Sequence, residues 1–236
     1  MSTLVTGGTG FIGGYVVREL AARGEDVVCF DLVPSVGYLE ALLEQQVLSR
    51  VSVVRGDVTD FREMSRTIKE RGVDRIVHLA AMIRSSAEDR IAAGVMCNAI
   101  GTMNVLEAAC LHDVRKVAWS SSIGVYGHRS VNTEGLITND SVHDPQSAYG
   151  ASKSMSERLA ILYNKRYGLD VTGVRFSTVY GFGKVFSVGR PAAMPWLDDL
   201  MIKPALRISA GMGVVRIDGG WNAVGAPSWA WSPPPL

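Results

Sequence analysis

The chain has 236 residues, 47% of them hydrophobic and 20% charged, and 24 Lys and Arg set against 23 Asp and Glu leave a net charge of +1. That length suits one large α/β domain or two small ones around an ordinary core. The balanced charge excludes the basic stripe of a nucleic-acid binder and the cationic cluster of a membrane-surface protein, so neither is an expected partner.

Ser2 to Thr6 is a short β-rich run closed by glycines, as a buried strand would be. Gly7-Gly8-Thr9-Gly10 follows, then Ile12, Val16 and Leu20 recur at helical spacing until Gly24. A second strand covers Asp26 to Phe30, a helix Tyr38 to Leu48, and a third strand Val51 to Val54. Phe61 to Arg71 is helical, and Asp74 to Leu79 makes a fourth strand. A long helical region lies within Glu88 to His112, and Lys116 to Ser120 begins the fifth strand. Tyr149 to Tyr167 is a patterned helix ending at Gly168, and Val171 to Phe176 is the sixth strand. Strands alternating with helices imply a parallel sheet covered on both faces, which is the α/β doubly wound (Rossmann) fold. Composition shifts near residue 190, beyond which lie four of the five tryptophans and seven of the nine prolines. The closing GGWNAVGAPSWAWSPPPL sustains no period and reads alike as structural tail, linker, truncation scar or altered reading frame.

Gly7, Gly10 and Gly13 form a GxxGxxG spacing directly after the first strand and opening the first helix. A diphosphate needs backbone N–H groups at a helix N-terminus, and any Cβ at the points of close approach would hold it off. The strand before and the helix after supply the context that a lone glycine triplet lacks. Asp31, about 20 residues on, can accept hydrogen bonds from both ribose hydroxyls and would repel a 2′-phosphate, so NAD is expected over NADP. A turn or cap carboxylate is the lesser alternative for Asp31. Asp57, after the third strand, reads equally as an adenine contact or a loop cap.

Tyr149 and Lys153 share one helix face. An ammonium beside a phenol stabilises the phenolate and lowers its pKa from about 10 towards working pH, which fits it for proton exchange with an alcohol or carbonyl oxygen. Ser120, Ser121 and Ser122 cluster at the carboxyl end of the fifth strand, where such sheets place ligands. His78, His112, His128 and His143 show no mutual metal-ligand spacing, so no metal is expected. Cys29, Cys97 and Cys110 are odd in number without a CxxC, and buried inert thiols are expected. The N-terminus carries no basic-then-apolar leader, so a cytoplasmic protein is expected.

TGGTGFIG, DVTD, HLAA, NAIGTMNVLEAA, SSSIGVYG, PQSAYGASK and RFSTVYG, in this order between Ser2 and Gly183, resemble the extended short-chain dehydrogenase/reductase family, the NAD-dependent epimerase/dehydratase group. The resemblance implies Ser122, Tyr149 and Lys153 as catalytic residues, with Lys153 also holding the nicotinamide ribose. It implies Gly7, Gly10, Phe11, Ile12, Asp31, Asp57, Val58, Leu79, Ala80 and Ala81 along the dinucleotide, with Gly13 in the helix, and Asn98 in a structural role. Ser122-Ile123-Gly124 stands where dehydratases of the family carry Thr-Asp-Glu, so water elimination is not expected. Thr178 replaces the family's usual substrate-binding Asn. The implied organisation is a dinucleotide domain over 1–183 and a reduced, atypical substrate lobe over 184–236. The implied activity is hydride transfer at a secondary alcohol or carbonyl carbon of a sugar, sugar nucleotide or smaller hydroxy compound, by an epimerase or dehydrogenase route. A non-catalytic NAD-binding module is the alternative. A homodimer through the helices within Glu88–His112 and Tyr149–Tyr167 is expected.

Overall fold

The structure, a computed structural model, describes residues 1–131, 135–179 and 181. The expected C-terminal segment 184–236 lies outside the described residues. In chain order the elements are β1 (Ser2–Thr6), α1 (Phe11–Ala22), β2 (Asp26–Asp31), α2 (Val36–Leu42), α3 (Gln45–Leu48), β3 (Val51–Arg55) and α4 (Phe61–Glu70). Then follow β4 (Arg75–His78), α5 (Arg84–Asp89), α6 (Ile91–Val95), α7 (Gly101–Leu111), β5 (Lys116–Ser122), α8 (Ala148–Tyr167) and β6 (Asp170–Phe176).

The six strands form one parallel sheet in the order β3-β2-β1-β4-β5-β6. This is the doubly wound Rossmann-like architecture, and its order reverses between β1 and β4. In sheets of this kind the loops after the two switch strands diverge and leave a ligand crevice at the carboxyl edge.

Each strand buries side chains on both faces, which is why short runs such as Leu4-Val5 and VVCF are apolar throughout. Leu4, Val28, Phe30, Ile76, Val117 and Trp119 point into one core, under α4, α7 and α8. Val5, Val27 and Cys29 point into the other, with Val17 and Ala21 of α1 and Leu39 of α2. Helix ends follow local chemistry. Asp60 caps α4 by accepting from the N–H groups of Arg62 and Glu63. Ser147 caps α8 through the N–H of Gly150, and Gly168 ends it in the left-handed region at φ +71°.

Most boundaries agree with the periodicity to within one residue, and the larger differences lie in three regions. The helix expected over Tyr38–Leu48 is broken between α2 and α3, with Leu43 extended. The region within Glu88–His112 is interrupted at Arg90, and a π-helical turn at Met96–Ile100 joins α6 to α7. β5 runs on to Ser122, paired with Phe176 of β6. The helical run Ile91–Leu111 is long and apolar enough to cross a membrane, and half of it is buried, as in a core helix.

Candidate active site

The turn after β1 is drawn in against its neighbours. Gly7 adopts φ +66°, and a Cβ there would stand 2.9 Å from the Ala80 nitrogen. A Cβ on Gly13 would lie 2.0 Å from the Gly7 carbonyl oxygen, so α1 packs on the turn at a distance only glycine permits. Gly10 is the N-cap of α1 without a side-chain cap, and the first turn, with Phe11, Ile12 and Gly13, carries no acidic residue. Its N–H groups therefore form a cradle matched to an anion such as a diphosphate. Phe11 is buried, edge-on to Tyr15.

Asp31 ends β2 beside this turn. Its Oδ2 accepts from the Thr9 backbone N–H (3.2 Å) and hydroxyl (2.8 Å), and its Oδ1 from the Val33 N–H (3.3 Å). The carboxylate thus ties the glycine turn to the loop after β2. Asp57 caps its own loop, accepting from the Thr59 N–H at 2.8 Å. Val58 is buried, and its carbonyl and that of Thr59 accept from the Asn104 side chain at 3.0 and 3.1 Å. Across the crevice, the Leu79 and Ala80 N–H groups donate to the Thr6 hydroxyl at 3.1 and 3.2 Å, and Ala81 continues that loop.

The three serines ending β5 have different partners. Ser120 uses its carbonyl, Ser121 its hydroxyl on Glu157, and Ser122 Oγ accepts from the Gly124 N–H at 3.0 Å. The turn Ile123–Val125 packs against the start of α8, where a Cβ on Gly150 would sit 2.1 Å from the Gly124 oxygen. A Cβ on Gly124 would itself meet Ser122 Oγ at 3.3 Å and Tyr149 Cδ1 at 3.6 Å, so the hydroxyl and the phenol ring flank one turn. Glu88 accepts from the Tyr149 N–H at 3.0 Å.

One helical turn on, Lys153 is 1% exposed. Its Nζ donates to the Ser120 carbonyl at 2.8 Å and lies 5.9 Å from the Tyr149 ring centre and 5.8 Å from that of Trp119. Burial pushes the Lys153 ammonium down to about 8, against a smaller upward pull from Cys97. The structure thus brings Ser122, Tyr149 and Lys153 together at the carboxyl end of β5.

A buried polar chain runs beneath the site that the sequence pattern concealed. Thr6 Oγ1 accepts from Leu79 and Ala80 and meets His78 Nδ1 at 2.7 Å, while His78 Nε2 meets Thr102 Oγ1 at 3.0 Å. Thr102 donates in turn to the Asn98 carbonyl at 2.6 Å, which assigns the proton to His78 Nε2. Burial, reinforced by Lys153, drops His78 to about 3, so it stays neutral. The Asn98 carbonyl, in the π-turn, also accepts from Ser156, and its side chain grips both backbone groups of Met82 and the Ser152 hydroxyl. Asn98 therefore fastens the loop after β4 to α8. In sequence, these polar residues at helical spacing within an apolar run were the available signal.

His112 pairs with Ser65 and His143 with Ser154. Among the described residues no group of three His, Cys, Asp or Glu is placed to hold a metal ion. The cysteines are unpaired thiols, and burial raises each, Cys29 to about 12.

Residues 3–194 match the model of the NAD dependent epimerase/dehydratase family. A putative UDP-glucose 4-epimerase of Methanocaldococcus jannaschii is 33% identical over 183 residues, which are 75% of this chain and 56% of that protein. The crystal structure of UDP-glucose 4-epimerase from Thermus thermophilus in complex with NAD superposes with a TM-score of 0.65 at 29% identity, over 77% of this chain and 56% of that one. An L-threonine dehydrogenase of Cupriavidus necator in its holo form gives 0.65 at 26% identity, over 75% and 55%. The chain spans about half the length of the curated relatives it matches. The glycine cradle, the serine strand end and the Tyr-Lys helix all lie within the matched span, and the chain belongs to the NAD dependent epimerase/dehydratase family.

Proposed function

We propose that the chain carries out epimerase-type hydride transfer, taking NAD as cofactor and a secondary alcohol carbon of a sugar nucleotide as substrate. The observation that supports this best is the dry Lys153 ammonium set behind Tyr149, beside Ser122, in a fold whose first βα turn is shaped for a diphosphate. The relatives named UDP-sugar 4-epimerases favour the substrate class.

The residues present fit NAD. Gly7, Gly10 and Gly13 leave the α1 N-terminus open to the diphosphate, and Asp31 stands at the end of β2 for the adenosine ribose. Phe11, Ile12, Asp57, Val58 and Leu79–Ala81 are the residues that would line the rest of the dinucleotide. When bound, NAD supplies a nicotinamide carbon that accepts hydride from the substrate and can return it. The Ser122 hydroxyl orients the reacting oxygen. The Tyr149 phenolate takes the proton of the alcohol as its C–H bond breaks, and gives it back when hydride returns to the other face. Lys153 stabilises the phenolate charge, and its remaining N–H groups would hold the nicotinamide ribose. Ile123 and Gly124 offer no acid or base, and Ile123 is 51% exposed at the site, so the reading excludes water elimination.

Tyr149→Phe tests this reading, since it removes one hydroxyl. It abolishes turnover of UDP-sugars while NAD affinity is retained. Unchanged turnover contradicts the assigned proton carrier. Absorbance at 340 nm separates the routes, because epimerisation accumulates no NADH and net dehydrogenation does. NAD binding with no turnover of any candidate identifies the non-catalytic module instead.

A further inference from the structure

α8 carries more than the two residues of the proposed chemistry. Tyr149, Lys153 and Glu157 follow one another at intervals of four, so they lie along one face of the helix. Lys153 and Glu157 bind consecutive residues of β5: the ammonium takes the Ser120 carbonyl, and the carboxylate takes the Ser121 hydroxyl. The next residue of that strand is Ser122.

Glu157 is also held from β6. Arg175, in register with Ser121, grips it as a fork, Nε on Oε1 at 2.8 Å and Nη2 on Oε2 at 2.7 Å. Arg175 spends its remaining N–H groups on the Tyr126 hydroxyl, the Asn139 carbonyl (3.1 Å) and His143 Nε2 (3.2 Å), so all five donors are used. His143 accepts there only if its proton is on Nδ1, where it donates to Ser154 of α8 at 2.7 Å. The side chains of Glu157 and His143 are each 11% exposed. Burial raises the Glu157 carboxyl, but the hydrogen bonds from Arg175 and Ser121 outweigh it and hold the group ionised.

We propose that Glu157 and Arg175 are positioning residues that fix the rotation and height of α8 against β5, and so set the Tyr149 phenol and Lys153 ammonium relative to Ser122. Ser152 and Ser156 tie α8 to Asn98 on its other side, and beyond Lys153, Glu157 is what ties it to β5 and β6. Here one carboxylate spans three elements at a point one turn beyond Lys153, and the fork geometry admits little misalignment. The inference rests on Tyr149 and Lys153 being the acid–base pair.

The test is the titration of the Tyr149 phenol in the protein without NAD. It is read by carbon NMR of ring-labelled tyrosine and assigned by the signal missing from Tyr149→Phe. In the wild type the midpoint is well below that of an ordinary tyrosine. Glu157→Gln and Arg175→Lys each move it up by about one pH unit, a tenfold loss of phenolate, as Lys153 falls out of place. The sign discriminates: removing the Glu157 charge acts through space to lower the midpoint, and Arg175→Lys changes no charge. Ser121→Ala deletes a single hydroxyl and carries the same test should Glu157→Gln fail to fold. Variants that melt earlier but keep the lowered midpoint overturn the inference and leave only a stabilising role. An ordinary wild-type midpoint overturns the acid–base reading and this inference with it.

Discussion

Lys153 brings an ammonium where water does not follow. Its unfolded pKa is near 10.4, and burial brings it to about 8 in the fold. Between those values the unfolded chain binds the proton and the folded chain does not. Stability from this group therefore rises with pH across that window, and its burial cost is fully present below about 8. The raised thiols and the raised phenols of Tyr38 and Tyr163 act in the opposite direction at similar pH, so a difference measurement is needed. In urea unfolding, Lys153→Met gains on the wild type at pH 7, and that relative gain shrinks as pH rises from about 8 to about 10. A gap that stays constant across this range contradicts a proton-poor Lys153.

At the scale of elements, the βα turn and α8 were legible because their chemistry is local. Three glycines at fixed spacing and a Tyr-Lys pair four apart need no tertiary knowledge to be placed on a turn and on a helix face. Gly13→Ala tests the first: its Cβ would fall 2.0 Å from a backbone oxygen that cannot step aside. The variant loses NAD binding and about 1–3 kcal/mol of stability, measured by calorimetry and urea unfolding. Binding and stability at wild-type level contradict the close packing. Other features were hidden because their partners are remote. The π-turn at Met96–Ile100 is held by Thr102 within the helix and by Ser156 on α8, and the Glu157–Arg175 fork joins residues 18 apart to a serine 36 residues upstream. Asp57 had two readings of equal merit, and its Oδ1 accepts from Thr59 within its own loop, which leaves the proposed adenine contact to its other atoms. Asp31 bonds the glycine turn through Thr9 besides standing where the ribose is proposed, a tie between remote segments that spacing did not reveal.

For the whole molecule, the sheet order places every proposed site residue at one edge, around the switch point between β1 and β4. The outer surfaces of the helical run Ile91–Leu111 and of α8 present Ile91, Met96, Leu111, Met155, Ile161 and Leu162 to solvent. We propose that a second copy of the chain covers part of this exposed apolar surface. Sedimentation gives a dimer mass for the wild type and a monomer mass for Leu162→Asp. A monomeric wild type contradicts the proposal.

The central claim is that the first βα turn receives a diphosphate and so delivers a nicotinamide ring to the Tyr149 end of the crevice. Calorimetric titration of the chain with NAD tests it most directly. Saturable heat at a single site is expected, with weaker binding of NADP because its 2′-phosphate meets Asp31. Absence of heat with both oxidised and reduced NAD would contradict it.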